Sequence, residues 1–502
     1  MSNIDEARRR LVTVLGADAV VWDGIGRMLY EYDGGVDRAV PDLIAFPANE
    51  ADVVVIARIA TESGLPLIPR GAGTGLSGGA IAREGGIVVA FNRMRKIRRL
   101  DYENARAIVE PGVVNLELSQ TTAPAGYIFV PDPSSQQACT IGGNVAENSG
   151  GPHTLAYGVT VNHITGLRAV LADGRVVSTG GLANDIPGYD LTGTLVGSEG
   201  TMAMVTAIAA KLTRLPEAVR TLLAVYARIE SAADTVSAVT AAGITPAAME
   251  MLDGFTLRAV EAYIHAGYPL DAAAVLLIEL EGLKEEVASQ AEEVLRICRE
   301  SGAAEVRLAR DAEDRARLWK GRKHAFGAVG RISPNFYVMD GVIPRTRIAD
   351  VLRDGDHIGR HYQLRIGNIF HAGDGNLHPL VFYDGRQAGE LDRAIAASRE
   401  IIRLCVEAGG SISGEHGVGM EKDELMPWMF SEADLDFMRQ LRAVWNPEGR
   451  LNPGKLLPAR ACRETRDGGP GGLRMAAGQD DGDRSDQPRS AAAAGQQQTE
   501  PR

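Results

Sequence analysis

The stretch "NEADVVVIARIATESG" spaces its apolar residues three and four apart, the period of one helix face, between Asn49 and Gly64. It predicts a helix capped near Asn49, ended by Gly64 and followed by a strand in "LPLIPRG". The N-terminal segment, 1–40, is also predicted helical. From Pro41 to Leu215 the chain is dense in glycine, and its short apolar runs, such as "GGIVVAF" and "GLRAVLADGRVV", predict strands. After Pro216 glycine thins. The apolar run "DAAAVLLIELEG" predicts a strand, and "LKEEVASQAEEVLRICRESG" an amphipathic helix ending at Gly302. From Ala459 onward Gly, Asp, Gln, Ser and Ala prevail, too few large apolar groups to bury a core. These shifts divide the chain into an N-terminal helical segment (1–40), a glycine-rich domain (41–215), a second domain (216–458) and a tail (459–502) expected to be disordered. A chain of 502 residues exceeds the size at which one core stops growing, which agrees with two domains.

Composition narrows the function. Lys and Arg total 53 against 65 Asp and Glu, a net charge of -12, and no basic block carries interleaved aromatics, so nucleic acid is not an expected partner. Cys139, Cys298, Cys405 and Cys462 lack CxxC spacing, which argues against a disulfide framework and against an iron–sulfur site. The N-terminus "MSNIDEARRRL" is charged, and no apolar run approaches the length of about 18 residues that a membrane helix needs. The expectation is a cytoplasmic protein with no intrinsic membrane segment, touching the inner membrane only through a partner.

Three loops carry candidate chemistry. "PLIPRGAGTGLSGGA" matches GxGxxG at Gly73, Gly75 and Gly78, but the chain continues "AIAREGGIVVAF", where Gly85 and Gly86 forestall the helix that a dinucleotide fingerprint requires. Bare backbone N–H groups between strands still make an anion site, with Arg70 beside it. In "PDPSSQQACTIGGNVAENSGGPH", Ser134, Ser135, Thr140, Asn144, Asn148 and Ser149 offer small polar groups, while Gly142, Gly143, Gly150 and Gly151 admit close approach. "LVGSEGTMAM" repeats the theme with Gly197, Ser198, Glu199 and Gly200. Three separated loops imply a large polar cofactor. In "FHAGDGNLHPL" the glycines, Asp374 and Pro379 disfavour a helix, and a turn over Gly373 to Asn376 would let His371 and His378 converge, which suits a metal; an exposed polar turn is the alternative.

Together these stretches resemble the FAD-linked oxidases of the vanillyl-alcohol oxidase and p-cresol methylhydroxylase superfamily, in the branch of D-lactate dehydrogenase, D-2-hydroxyglutarate dehydrogenase and the glycolate oxidase D subunit, over roughly Pro41 to Pro458. The resemblance implies an α+β flavoprotein: an FAD-binding domain of two mixed α/β subdomains, and a cap of antiparallel sheet flanked by helices. It implies that Arg70, Gly71, Ala72, Gly73, Thr74, Gly75 and Ser77 receive the FAD pyrophosphate. Pro131, Asp132, Ser134, Ser135, Gly142, Gly143, Asn144, Asn148, Gly150 and Gly151 would line the rest of the cofactor, with Glu199, Gly200 and Asn452 as further contacts. The loop from Arg70 to Gly79 lacks the histidine of covalently flavinylated relatives, so FAD is expected to be dissociable. By the same resemblance His371, His378 and Glu415 of "GGSISGEHGVGMEK" hold a divalent metal, zinc foremost, with iron or manganese as alternatives. Two imidazoles and one carboxylate leave a coordination position open for substrate. His416 is the expected base, Arg322 the clamp on a substrate carboxylate, and Asn376 a substrate contact.

The implied reaction is oxidation of a small 2-hydroxy acid, glycolate or D-lactate, to the 2-oxo acid. Electrons would pass to a separate flavin or iron–sulfur subunit, a quinone or a cytochrome. Val338 and Met339 stand where the 2-hydroxyglutarate branch carries a lysine, which counts against a dicarboxylate substrate. The rival classes are a metallohydrolase acting on a phosphate-containing substrate and a non-catalytic nucleotide-binding module.

Overall fold

Asn49 accepts a hydrogen bond from the Asp52 N–H, and Gly64 turns the chain left-handed at φ 69°, so the helix occupies Glu50–Ser63, the limits read from the sequence. Its face of Val53, Ile56, Ala57 and Ala60 is buried against a four-stranded sheet. The computed structural model describes residues 2–183 and 187–459; the tail expected to be disordered lies outside the described residues, except Ala459. In the sheet Leu43–Ala45, Ile87–Ala90 and Leu67–Arg70 run parallel, and Val20–Val21 adds an antiparallel edge. The N-terminal helix is Asn3–Leu15.

A second sheet is antiparallel throughout and has five strands. "GLRAVLADGRVV" supplies its hairpin, Ile164–Val170 against Val176–Gly180. The chain after Arg70 runs through turns directly to the strand at Ile87, with no helix, as the pair Gly85 and Gly86 predicts.

The region after residue 216 is built on one antiparallel sheet of nine strands. Its central strands, Ala218–Tyr226 and Ala274–Gly282, carry unbroken apolar runs at 222–226 and 274–278 because both faces are covered there. Leu222, Ala224, Leu276 and Ile278 face the helices Ile229–Ala241 and Lys284–Glu300, while Leu223, Val225, Val275 and Leu277 meet Leu257, Val260 and Leu318 on the other side. Each of these Leu, Ile and Val side chains contributes about 1.5–3 kcal/mol on burial. In the same sheet Ala248–Asp253 pairs with Arg365–His371, which sets Glu250 directly opposite His371.

Candidate functional site

Between the glycine-rich sheets and the nine-stranded sheet lies one cavity of about 390 Å³. Its wall includes Arg70, Gly71, Ala72, Gly73, Thr74 and Gly75, then Ser134, Ser135, Gly142, Gly143 and Asn144, then Glu199 and Gly200; at the far end it reaches His378, Glu415 and His416. Sequences more than 340 positions apart therefore line one space.

The loops suit a cofactor. A Cβ on Gly75 would meet nothing within 4 Å, so the absent side chain is cavity space beside bare backbone, whereas Cβ atoms on Gly71 and Gly142 would strike Thr140 and Pro111 at 2.5 Å. Arg70 is 6% exposed and its guanidinium is engaged: it donates to the Tyr32 carbonyl at 2.7 Å and lies 5.4 Å over the Tyr30 ring. It thereby ties the N-terminal segment to the loop, a role the sequence did not reveal.

Several expected contacts are not on the cavity wall, and their bonds give the reason. Ser77 donates to the His416 carbonyl, and Asn452 donates to the carbonyls of Gly79 and Glu199, stitching loops together. Asn148 accepts from the Val161 N–H, and the Pro131 carbonyl accepts from Asn115. Asp132 pairs with His153, and Gly151 lies against the Asp132 backbone. At Gly150 a Cβ would sit 3.2 Å from Glu415 Oε2, so this glycine makes room for that carboxylate.

At the far end, the turn after the strand Arg365–His371 folds back at Gly375, φ 78°, and pairs His371 with Asn376. The two imidazoles converge, their ring centroids 5.0 Å apart. Glu415 Oε1 lies 3.2 Å from His371 Nε2 and 3.3 Å from His378 Nε2, and ligand atoms of all three residues fall within 4.8 Å of one another. Neither ring nitrogen of His378 nor Glu415 Oε2 has a hydrogen-bond partner, although all are buried. Orphaned buried polar atoms of this chemistry fit a cation. Burial opposes the charge of Glu415, yet His371 and His378 hold its carboxyl well below the usual range.

Glu415 and His416 sit in a loop that Asp340 shapes. Fully buried, Asp340 accepts from the N–H groups of Gly414, Glu415 and His416 at 2.6, 2.6 and 3.0 Å, and pairs with the buried Lys422. Gly417 takes φ 85°, and a Cβ on Gly414 would fall 2.4 Å from Asn376 Oδ1, so both flanking glycines are required, for different reasons. His416 stacks on His378 with centroids 5.0 Å apart, and burial holds its imidazole down to about 4, so it is neutral at ordinary pH. Asn376 stands behind the wall with Oδ1 unpartnered. Arg322, 1% exposed, does not reach the wall either: its Nε donates to Glu250 at 2.6 Å.

Two further acidic clusters are held by protein donors. In the cluster of Asp340 with His378 and His416, the carboxylate already accepts from three backbone N–H groups and pairs with Lys422. Glu279, beside His153 and Glu281, accepts from Arg315, Trp319 and Thr221. The sequence reading missed Glu250, Asp340, Glu147 and the aromatic wall of Phe326 and Phe336, which lies beside the Val338 it had singled out. Glu250 leaves one signal, a carboxylate inside the apolar run "AMEMLD".

A cofactor cavity that ends on a histidine–carboxylate cluster defines a cofactor-dependent enzyme. Residues 41–180 match the FAD binding domain and residues 215–456 the FAD linked oxidases, C-terminal domain, so the chain belongs to the FAD-linked oxidases and is an FAD-linked oxidoreductase. It is 45% identical to the glycolate oxidase subunit GlcD of Escherichia coli, over 87% of this chain and 88% of that protein. The D-lactate dehydrogenase of Archaeoglobus fulgidus is 32% identical over 91% of this chain and 99% of its own. The fold matches p-cresol methylhydroxylase with substrate bound at a TM-score of 0.75 and 17% identity, covering 90% of this chain and 96% of that one. Membership sets aside the metallohydrolase and the non-catalytic module. No helix among the described residues is long and apolar enough to cross a membrane.

Proposed function

We propose that the protein oxidises a small D-2-hydroxy acid, glycolate or D-lactate, to the 2-oxo acid. The observation that carries this reading is the continuity of the cavity from the glycine loops to His378, Glu415 and His416, which sets a cofactor face against a cluster able to hold a cation. FAD held in the cavity would supply flavin N5 as the hydride acceptor, and a divalent metal held by His371, His378 and Glu415 would supply a Lewis acid able to acidify the substrate hydroxyl. The protein's own groups do the rest. The neutral His416 ring accepts the hydroxyl proton, and the Asp340 cradle fixes the backbone that aims it. Arg322 is not on the wall, so the direct clamp expected of it is replaced by a longer-range role: paired with Glu250 behind His371, its guanidinium adds positive potential at the end of the cavity where the substrate carboxylate would lie. Phe326, Phe336 and Val338 give the wall near His378 an apolar surface that excludes water and offers no second cation to a dicarboxylate.

Relatives named as subunits support an electron-accepting partner subunit, with a quinone or cytochrome as the other outlets. The test is a panel of glycolate, D-lactate, L-lactate and D-2-hydroxyglutarate with an artificial electron acceptor. Turnover is expected with glycolate or D-lactate and little with the dicarboxylate; a preference for D-2-hydroxyglutarate would transfer the protein to that branch.

A further inference from the structure

Glu250 is a fully buried carboxylate in the middle of a strand whose neighbouring positions are apolar. An unpaired charge there would cost several kcal/mol, so its partners matter. Strand pairing sets it opposite His371, whose Nδ1 lies 2.8 Å from Oε1 and 3.0 Å from Oε2. Oε2 also accepts from Arg322 Nε at 2.6 Å, and the same guanidinium places a terminal nitrogen 3.5 Å from His371 Nδ1. Glu250 is absent from the cavity wall, so its carboxylate serves residues of the site without facing the site itself. An acceptor at Nδ1 keeps the ring proton on that nitrogen. Nε2, turned toward Glu415, then retains its lone pair.

The geometry points to Glu250 as a positioning residue for both halves of the substrate site: it presents His371 Nε2 to the cation and steadies the Arg322 guanidinium behind it. One buried carboxylate thereby links cation affinity to substrate affinity. This inference rests on the metal and substrate reading given above. Carboxylates that accept from the far nitrogen of a ligand histidine fix the ring and raise its basicity, and losing one weakens metal binding by about 10–100-fold.

The test uses the full chain with FAD bound, stripped of metal and titrated with Zn²⁺ against a chromophoric chelator, as wild type, Glu250→Gln and Glu250→Asp. KM for the preferred 2-hydroxy acid is measured at saturating Zn²⁺. Gln keeps the shape but has one acceptor oxygen for two donors. Glu250→Gln is expected to bind Zn²⁺ about 10–100-fold more weakly and to keep a raised KM at saturating metal, with FAD content unchanged; Glu250→Asp recovers part of both. If Glu250→Gln fails to fold because Arg322 is left unpaired, Glu250→Gln combined with Arg322→Met removes the stranded charge, and the same loss of Zn²⁺ affinity is expected. Wild-type Zn²⁺ affinity in a folded variant overturns the proposal, as does weakened Zn²⁺ binding with an unchanged KM in the single variant, which would sever the link to Arg322. A wild type that takes up no Zn²⁺ sinks the metal reading itself.

Discussion

At the residue scale, the site works because burial and pairing fix which groups carry charge. His416 stays neutral because its ring is buried, and the nearby Asp340 only partly offsets that. Replacing it with alanine should slow flavin reduction by about 10²–10⁴-fold, measured by stopped flow at saturating substrate, while metal content holds. Rapid reduction by a metal-replete His416→Ala protein would remove it as the base. Glu421, five residues on, behaves oppositely. Burial pushes its carboxyl up to about 7, and Oε2 has no partner. A raised folded value means the proton stabilises the native state. That stability is complete below the ordinary carboxylate range, and it is lost as pH rises from there through 7, by up to about 1.4 kcal/mol per pH unit. Denaturation midpoints of Glu421→Gln should lack this decline; an identical pH profile in wild type and variant would refute the assignment.

At the scale of single elements, turns and loops position the chemistry, and these were legible to different degrees. "GDGN" announced a turn that brings two histidines together, and the structure forms it with Gly375 at φ 78°. A Cβ there would lie 2.1 Å from the Ile343 carbonyl oxygen, so Gly375→Ala incurs a steric clash on top of the left-handed penalty of about 1–2 kcal/mol. Lower thermal stability with weakened metal retention is expected; a stable, metal-replete variant would show that the turn yields. The helix at Glu50–Ser63 was legible because capping is local, written in Asn49 and Gly64. The loop carrying Glu415 and His416 was only half legible. Its motif names Glu415 and His416, but the anion that organises the loop, Asp340, lies 74 positions before Gly414. Arg70 teaches the same lesson, since its hydrogen-bond partner Tyr32 belongs to a segment that read only as an N-terminal helix.

At the scale of the whole molecule, the cavity exists only where the glycine-rich sheets meet the nine-stranded sheet, and buried polar contacts join the two. His153 bridges Asp132 at 2.9 Å and Glu279 at 3.4 Å while stacking on Trp319. His153→Leu should leave Asp132 without its partner and cost about 1–3 kcal/mol, read as a lower unfolding midpoint. FAD affinity should fall with it, because the loop after Asp132 lines the cavity; unchanged affinity would show that the bridge serves stability alone. FAD itself should be released by acid precipitation, since the loop from Arg70 to Gly79 holds no histidine; colour retained in the pellet would oppose this. By itself the sequence determined the glycine loops and the turn that lets His371 and His378 converge, because helix caps, turn residues and apolar runs are local signals; the class of fold and the place of Glu415 beside those histidines came through the resemblance that its motifs carry. Only the tertiary structure decided that Glu250 and Asp340 hold that cluster, that Arg322 pairs with Glu250 behind the cavity wall, and that Ser77 and Asn452 bind other loops instead of lining the cavity. Which donor meets which buried acceptor depends on strand register and on how the sheets close together, and no spacing along the chain records that.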